Sequence, residues 1–287
     1  MAHPPVATPP SEEAEPKLKI YFLPNLLTGG NLICGFAALT LIVEADLASG
    51  DFHPIKMAMF FILMACLFDL FDGRVARMGG VESPFGREFD SLADLVSFGV
   101  APAFLVNRVV LKDAFAPEHR GWAWFISSVY LICGAFRLAR FNCLAAMPSG
   151  GVSKDFLGFP IPSAAGLVAS LTLLVIQLNE KDKTLGPWKW VPAVVLLFLS
   201  AMMVSTVRYP SFKTLGLRSS STFNKLLLCI LGLGFIVLLR DKILFYVLPL
   251  FFTAYLVYGF IRPQLSRRMR KEIEEDDDEP EGLDDAG

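Results

Sequence analysis

The most regular feature of the chain is a series of long apolar runs separated by short polar stretches. A helix needs about 20 apolar residues to cross a bilayer. Eight runs approach that length: 25–43, 57–76, 90–110, 121–143, 160–178, 189–207, 224–239 and 243–261. The last two are separated by three residues, which predicts a tight helical hairpin. We therefore predict an all-α integral membrane protein with about eight transmembrane helices.

The two ends of the chain differ from its centre. Residues 1–16 are rich in Pro, Ala and Glu and lack the features of a signal peptide, so they predict a disordered leader. Residues 17–24 mix lysines with apolar side chains, which is typical of a short helix lying in the membrane interface. We assign 17–262 to a membrane-embedded catalytic domain and 263–287 to a basic and then acidic cytoplasmic tail.

Composition agrees with a membrane protein, because 54% of the residues are hydrophobic, against about 45–50% in soluble domains. The net charge of −2 gives no reason to expect a nucleic-acid partner, and none is predicted. The five cysteines are scattered without metal-binding spacing. We interpret them as small buried hydrophobic residues.

Positive charge is distributed unevenly between the two sides of the predicted bundle. The side holding both termini and the loops 74–90, 137–159 and 208–225 carries 17 of the 26 Lys and Arg residues. The positive-inside rule places that side in the cytoplasm. We therefore predict a protein of the inner, cytoplasmic membrane with both termini in the cytoplasm.

Four aspartates border the second and third apolar runs on this cytoplasmic side. Asp69 and Asp72 are three residues apart, and Asp90 and Asp94 are four apart, so each pair shares one face of a helix. Glycine, serine and proline in 79–84 predict a turn between the two helices. Because carboxylates at a membrane are costly, their convergence indicates a functional site.

Four neighbouring carboxylates cannot all remain ionised without counter-charge. Mg²⁺ or Mn²⁺ would supply it through oxygen ligands. Two ions about 3.5–4 Å apart could bind a diphosphate and assist an in-line displacement. Gly73, Ala76 and Gly86 would let a nucleotide approach the backbone, and Arg77 could neutralise phosphate. Ordinary charges at helix ends would explain one aspartate but not the whole set.

The stretch 69–94 reads D-x2-D-G-x2-A-R-x8-G-x3-D-x3-D and resembles the signature of the CDP-alcohol phosphotransferase family. The resemblance implies a homodimer with a six-helix core, here extended by two C-terminal helices. It also implies transfer of a phosphatidyl or substituted phosphoryl group from a CDP-linked donor to an alcohol, with release of CMP. The metal ligands would be Asp69, Asp72, Asp90 and Asp94, with Asp94 also the catalytic general base. The CDP site would be lined by Gly73, Ala76, Arg77 and Gly86.

Four further segments resemble the branch of that family whose acceptor is L-serine: 22–31, 137–142, 158–165 and 204–213. This implies that serine attacks CDP-diacylglycerol and that phosphatidylserine and CMP are formed. Glycerol 3-phosphate or an inositol phosphate is the alternative acceptor. A divalent-cation transporter is the alternative class, but the acids lie at one membrane edge and no internal repeat is visible, which disfavours it.

The remaining candidates are polar or basic residues near the cytoplasmic ends of the helices. A carboxylate on the acceptor calls for an arginine clamp. The acceptor candidates are Arg137, Arg140, Asn142, Arg208 and Lys213, and the bases among them could instead anchor headgroups of membrane lipids. Asn25, Thr28 and Asn31 share a helix face and could contact nucleotide or phosphate, or form interhelical hydrogen bonds.

Overall fold

The computed structural model describes residues 21–79, 83–115, 117–146, 155–179, 190–210 and 249–258. These ranges are almost entirely helical. The helices are α1 (Phe22–Glu44), α2 (His53–Gly79), α3 (Pro84–Asp94), α4 (Ala101–Val106), α5 (Lys112–Ala114), α6 (Arg120–Ala146), α7 (Ile161–Asn179), α8 (Val191–Val204) and α9 (Pro249–Tyr258). Two π-helical segments, Leu95–Val100 and Asn107–Leu111, flank α4, and short 3-10 turns cover Leu47–Ser49 and Pro117–His119.

Within these described ranges, five helical segments are long and apolar enough to cross a membrane. They are Phe22–Glu44, His53–Ala76, Pro84–Leu111, Arg120–Ala146 and Ile161–Leu178, and they correspond to the first five predicted runs. The sixth and eighth runs contain the shorter apolar helices α8 and α9. The seventh run, 224–239, lies outside the described residues. The helical membrane architecture is therefore supported, while the count of eight is not confirmed.

Two predicted boundaries need correction. We expected a separate interfacial helix over 17–24. The described residues of that range do not form one, because Phe22, Leu23 and Pro24 are the first turn of α1. Proline is tolerated there because its missing N–H would have no helical partner. The third membrane helix begins at Pro84 rather than at 90. The Ser83 hydroxyl accepts a hydrogen bond from the Gly86 N–H at 3.0 Å and caps the helix start.

A small antiparallel sheet departs from the predicted all-α fold. Its strands are β1 (Asp155–Leu157) and β2 (Arg208–Pro210), with Phe156 opposite Tyr209. Each strand has only three residues, too few for an alternating pattern to be recognised in the sequence. The sheet connects the chain before α7 to the chain after α8.

Small residues bring α1 and α2 together, while large apolar side chains face outward. Ala38 of α1 and Ala58 and Ala65 of α2 are completely buried, which lets helix backbones approach closely. Large apolar side chains such as Phe36 and Trp124 are exposed. Because a soluble monomer rarely exposes such a surface, this outer face is suited to lipid.

The chain between Asp94 and α4 is a continuous helix with a change of hydrogen-bond pattern. The π-helical segment Leu95–Val100 ends just before Pro102. Proline has no N–H to donate to the Phe98 carbonyl four residues earlier. The Tyr130 hydroxyl of α6 donates a hydrogen bond to that carbonyl at 3.0 Å. A tertiary contact thus helps to maintain an irregular helix directly beside the aspartates.

We predict that Gly35→Ala destabilises the protein, because Gly35 is where α1 approaches the π-helical segment. An added Cβ would contact the Ser97 hydroxyl and lie 2.8 Å from the Ser97 Cα. Overpacking of this kind costs about 1–3 kcal/mol. The thermal midpoint in detergent measures the effect. Gly29→Ala, on the same helix with nothing within 4 Å of its Cβ, is the control and should not lower the midpoint. Equal midpoints for the two variants would contradict the close approach.

Candidate active site

The structure brings three of the predicted aspartates together. One carboxylate oxygen from each of Asp69, Asp72 and Asp90 lies within 4.8 Å of the other two. The last turns of α2 supply the first two, and α3 supplies the third. Hard divalent cations such as Mg²⁺ and Mn²⁺ prefer such oxygen ligands. The donor set and its spacing therefore fit a divalent cation, which would also offset the mutual repulsion of the carboxylates.

Asp94 lies beside this group and is buried. The charged groups that act on it are Asp69, Asp90 and Asp72, so all four aspartates form one electrostatic cluster. Asp94 is outside the tight group of three, and its Oδ1 accepts a hydrogen bond from the Asn31 Nδ2 at 3.0 Å. Its roles as fourth metal ligand and general base remain predictions.

Helix α1 donates hydrogen bonds to Asp72 on α2 and to Asp94 on α3. The buried Thr28 hydroxyl donates to the Asp72 Oδ2 at 3.0 Å, as Asn31 does to Asp94. The Ser97 hydroxyl donates in turn to the Asn31 backbone carbonyl at 2.9 Å. Of the two possibilities open for Thr28 and Asn31, interhelical hydrogen bonding is therefore observed. These bonds orient the carboxylates.

Asn25 borders the start of α3. Its Oδ1 lies 3.3 Å from the position that a Cβ on Gly86 would occupy, and the Ser83 hydroxyl lies at 3.2 Å. In the described part of the chain, the buried Asn25 Nδ2 has no hydrogen-bond partner. A buried amide with an unsatisfied donor is unfavourable. It therefore suits a ligand oxygen at this end of the site.

Gly73 and Ala76 lie on α2 in the turn after Asp72 and are half-buried. Both positions carry little or no side chain, which a close approach of a nucleotide to the backbone requires. The side chain of Arg77 lies outside the described residues. The assignment of these positions and Gly86 to the CDP site stays a prediction.

Arg137 is an acceptor candidate on a helix that packs against α3, which carries Asp90 and Asp94. It lies on α6 and is only 9% exposed. Among the described residues, its buried Nε has no hydrogen-bond partner, while Asp94 and Asp69 act on its guanidinium electrostatically. A buried guanidinium with an unsatisfied donor is costly. This arrangement is suited to an anionic ligand beside Asp94.

Arg140 and Asn142 make structural contacts instead. The Arg140 guanidinium donates to the carbonyls that end α8, at 2.8 Å from Nη1 to Val204 and 3.2 Å from Nη2 to Ser205. The Asn142 Nδ2 donates to Glu88 at 3.1 Å and to Ser91 at 3.0 Å, both on α3. The remaining acceptor candidates, the side chain of Arg208 and all of Lys213, lie outside the described residues. The acceptor roles of these four residues stay predictions.

A sequence profile of the CDP-alcohol phosphatidyltransferases matches residues 21–207, which include α1 to α8 and all four aspartates. The chain belongs to this family. The resemblance of the 69–94 signature is thereby confirmed. The match also covers Thr28, Asn31 and Arg137, whose contacts were described above.

Similar proteins include CDP-diacylglycerol–serine O-phosphatidyltransferases. The protein of that name from Helicobacter pylori strain J99 is 34% identical over 248 residues, covering 85% of this chain and 91% of its own. That from Bacillus subtilis is 33% identical over 193 residues, covering 67% of this chain and 92% of its own. That from Saccharomyces cerevisiae is 39% identical over 155 residues, or 53% of each chain.

Sequence reasoning missed several residues that build this phosphatidyltransferase site. Ser97 follows Asp94 by three residues, so helical spacing would have placed it on the same face. Tyr130 had one signal in the sequence: it carries a hydroxyl inside an apolar run, and the preceding run contains Pro102, which leaves a backbone carbonyl without its helical partner. Outside the site, the contact between Phe159 and Tyr255, whose ring centroids lie 5.7 Å apart, had no signal in the sequence, because it joins the segment before α7 to α9.

Proposed function

We propose that this phosphatidyltransferase transfers the phosphatidyl group of CDP-diacylglycerol to the hydroxyl of L-serine, giving phosphatidylserine and CMP. The observation that carries the choice of acceptor is Arg137, a buried guanidinium beside the candidate base Asp94 whose Nε has no hydrogen-bond partner among the described residues. A guanidinium binds a carboxylate through two parallel hydrogen bonds. The names of the similar proteins support serine as the molecule that carries this carboxylate.

Each group of site residues would have a separate role in the reaction. Asp69, Asp72 and Asp90 would hold one or, with Asp94, two Mg²⁺ or Mn²⁺ ions, whose charge neutralises the diphosphate when they are bound. Arg137 would bind the serine carboxylate and direct the hydroxyl toward Asp94. Asp94 would accept the hydroxyl proton as the new O–P bond forms and the bond from phosphorus to CMP breaks. Thr28 and Asn31 hold their carboxylates in place for this.

The membrane setting follows from the same proposal. The positive-inside rule supports a cytoplasmic site with both termini on that side. Gly73, Ala76 and Gly86 would let the cytidine approach the backbone closely. The diacylglycerol chains would reach the aspartates sideways from the bilayer, past the exposed apolar face. A homodimer is supported by membership of the family.

The alternatives meet specific objections. An acceptor that carries a phosphate has more charge to neutralise and needs a denser basic pocket. Among the described residues, Arg140 is engaged by the end of α8, whereas Asp94 and Asp69 act on the Arg137 guanidinium. A transporter would place its site near the midplane between repeated halves. The aspartates here lie in the last turns of α2 and in α3.

An acceptor panel tests the proposal. Purified protein is given CDP-diacylglycerol, Mn²⁺ or Mg²⁺, and separately L-serine, glycerol 3-phosphate or an inositol phosphate, and CMP release is followed. We expect release that depends on serine. Release with only a phosphorylated acceptor would contradict serine as the acceptor. No release with any acceptor, together with Mn²⁺ flux into vesicles, would favour the transporter.

We predict that Arg137→Gln raises the KM for serine about 10- to 100-fold, because hydrogen bonds to charged groups contribute about 1.5–3 kcal/mol. Stability should not fall, since the variant removes a buried charge with an unsatisfied donor. Arg140→Gln is the contrasting variant. It removes the hydrogen bonds to the end of α8 and should lower the thermal midpoint. A serine KM equal to wild type in Arg137→Gln would remove Arg137 from the acceptor site.

A further inference from the structure

The C-terminal end of α6 is joined to α3 by the side-chain amide of Asn142. The Asn142 Nδ2 donates to the Ser91 Oγ at 3.0 Å and to the Glu88 Oε2 at 3.1 Å, which uses both of its hydrogens. The Ser91 hydroxyl keeps its own hydrogen for the Arg87 carbonyl, 3.1 Å away on the same helix. Because Glu88 and Ser91 are three residues apart, one amide holds two neighbouring turns of α3.

The bonded residues of α3 alternate with the aspartates that it carries. Ser91 directly follows Asp90 and precedes Asp94 by three residues, so it lies one helical turn from the candidate base. Helix α1 holds the Asp94 carboxylate itself, through the Asn31 Nδ2 at 3.0 Å. Helix α3 is thus bonded to α1 at Asp94 and to α6 at Ser91, which fixes its position between the two.

Helix α6 carries both Asn142 and Arg137. The helix is continuous from Arg120 to Ala146, and the two residues are five positions apart, or about 7.5 Å along its axis. A helical segment this short moves as a unit. A contact that fixes Asn142 relative to α3 therefore also fixes the backbone of Arg137 relative to Asp94.

The proposed reaction depends on the separation of these two residues. Arg137 binds the carboxylate of serine, and Asp94 accepts the proton of its hydroxyl. Serine is too short to compensate if the two helices move apart, and a misplacement of about 1 Å costs about 100-fold in rate. The contacts of Asn142 are exposed or only partly buried. Their loss is therefore expected to alter the geometry of the site more than the stability of the bundle.

We propose that Asn142 is a positioning residue for the transfer: through Ser91 and Glu88 it holds α3 against α6 and so sets the separation between Asp94 and Arg137. The proposal rests on the proposed function, because it takes these two residues as the groups that deprotonate and bind serine. It gives Asn142 an indirect role, in contrast to the direct contact with the acceptor that the sequence predicts.

Ser91→Ala tests the proposal from the α3 side, because it removes an acceptor of the Asn142 amide and leaves every group proposed to touch a ligand in place. We expect kcat to fall about tenfold, less than for a full 1 Å misplacement, because the bond to Glu88 remains. The KM for serine should stay within about twofold of wild type, since Arg137 still binds the carboxylate. Measurements are made on the full-length protein in detergent, with serine and CDP-diacylglycerol varied separately.

Ser128→Ala is the matched control. The Ser128 hydroxyl on α6 donates to the Trp124 carbonyl at 2.9 Å, the same bond to a carbonyl four residues earlier that Ser91 makes. Among the described residues, Ser128 has no hydrogen bond to another helix. Its variant should match wild type in kcat and in both KM values.

Asn142→Ala removes both contacts with α3 and should lower kcat further, by about 100-fold, again with little change in the serine KM. Adding Ser91→Ala to this variant should have no further effect, because the two residues act through one contact. A double variant whose losses multiply would show that Ser91 and Asn142 act independently and would overturn the proposal.

The remaining outcomes separate this proposal from the function on which it rests. Wild-type protein that releases no CMP in response to serine would overturn both. Serine-dependent wild-type activity with unchanged kcat in Ser91→Ala and Asn142→Ala would overturn the positioning role alone, including when the thermal midpoint falls. A higher serine KM with unchanged kcat in Asn142→Ala would indicate direct contact with the acceptor and would also overturn it.

Discussion

Asp94→Asn is expected to lower serine-dependent CMP release by about 10²- to 10⁴-fold, the range that a positioned general base contributes. Asparagine keeps the shape of the side chain and an oxygen that can accept the hydrogen bond from Asn31. It removes the group that would accept the proton of the serine hydroxyl. The measurement is kcat at saturating serine and CDP-diacylglycerol, with Mn²⁺ binding determined on the same preparation.

Asp51→Asn is the matched control. Asp51 is exposed and accepts a hydrogen bond from the His53 N–H at 2.9 Å before α2, a contact that asparagine can retain. Its turnover should equal that of wild type. If Asp94→Asn turned over at the wild-type rate, Asp94 would not be the base. If it lost Mn²⁺ binding together with turnover, its main role would be that of a metal ligand.

The second large effect is expected at Asp72, the buried member of the three-carboxylate group. Asp72→Asn should weaken Mn²⁺ binding by more than about 100-fold. Loss of a residue that only orients a metal ligand weakens binding about 10- to 100-fold, and loss of a charged ligand itself should cost more. Turnover at low Mn²⁺ should fall accordingly and recover in part when Mn²⁺ is raised. Titration followed by the paramagnetic resonance of free Mn²⁺ measures the affinity directly.

Thr28→Val provides a graded comparison for Asp72→Asn. It removes the hydroxyl that donates to Asp72 at 3.0 Å but leaves the carboxylate in place. Its loss of Mn²⁺ affinity should be smaller than that of Asp72→Asn, and Asp51→Asn should show none. Wild-type Mn²⁺ affinity in Asp72→Asn would contradict a metal centre at these carboxylates.

The parts of the site that local spacing determines could be predicted from the sequence. Asp69 and Asp72 share a face of α2, and Asp90 and Asp94 are separated by one turn of α3, so helical periodicity was enough to expect the two pairs. Length and hydropathy were enough to locate the first five membrane helices. Hydropathy did not locate the start of the third membrane helix, which begins at Pro84. That start is determined by one local hydrogen bond, from the Gly86 N–H to the Ser83 hydroxyl.

What depends on tertiary contact could not be predicted. Arg137 and Arg140 occur in one short motif, and spacing gave no reason to separate them. Only the position of the α8 carbonyls shows that Arg140 is engaged there, while the Arg137 Nε has no hydrogen-bond partner in the described part of the chain. The pairing of β1 with β2 was missed for the same reason.

Isotope labelling tests the central claim, that the serine hydroxyl attacks the phosphorus of CDP-diacylglycerol at this site. L-serine labelled with oxygen-18 in its hydroxyl is incubated with wild-type protein, CDP-diacylglycerol and Mn²⁺, and the products are analysed by mass spectrometry. The proposed reaction predicts phosphatidylserine that retains the heavy oxygen between serine and phosphorus, together with unlabelled CMP. Formation of phosphatidylserine without the label, appearance of the label in CMP, or consumption of CDP-diacylglycerol without phosphatidylserine would contradict it.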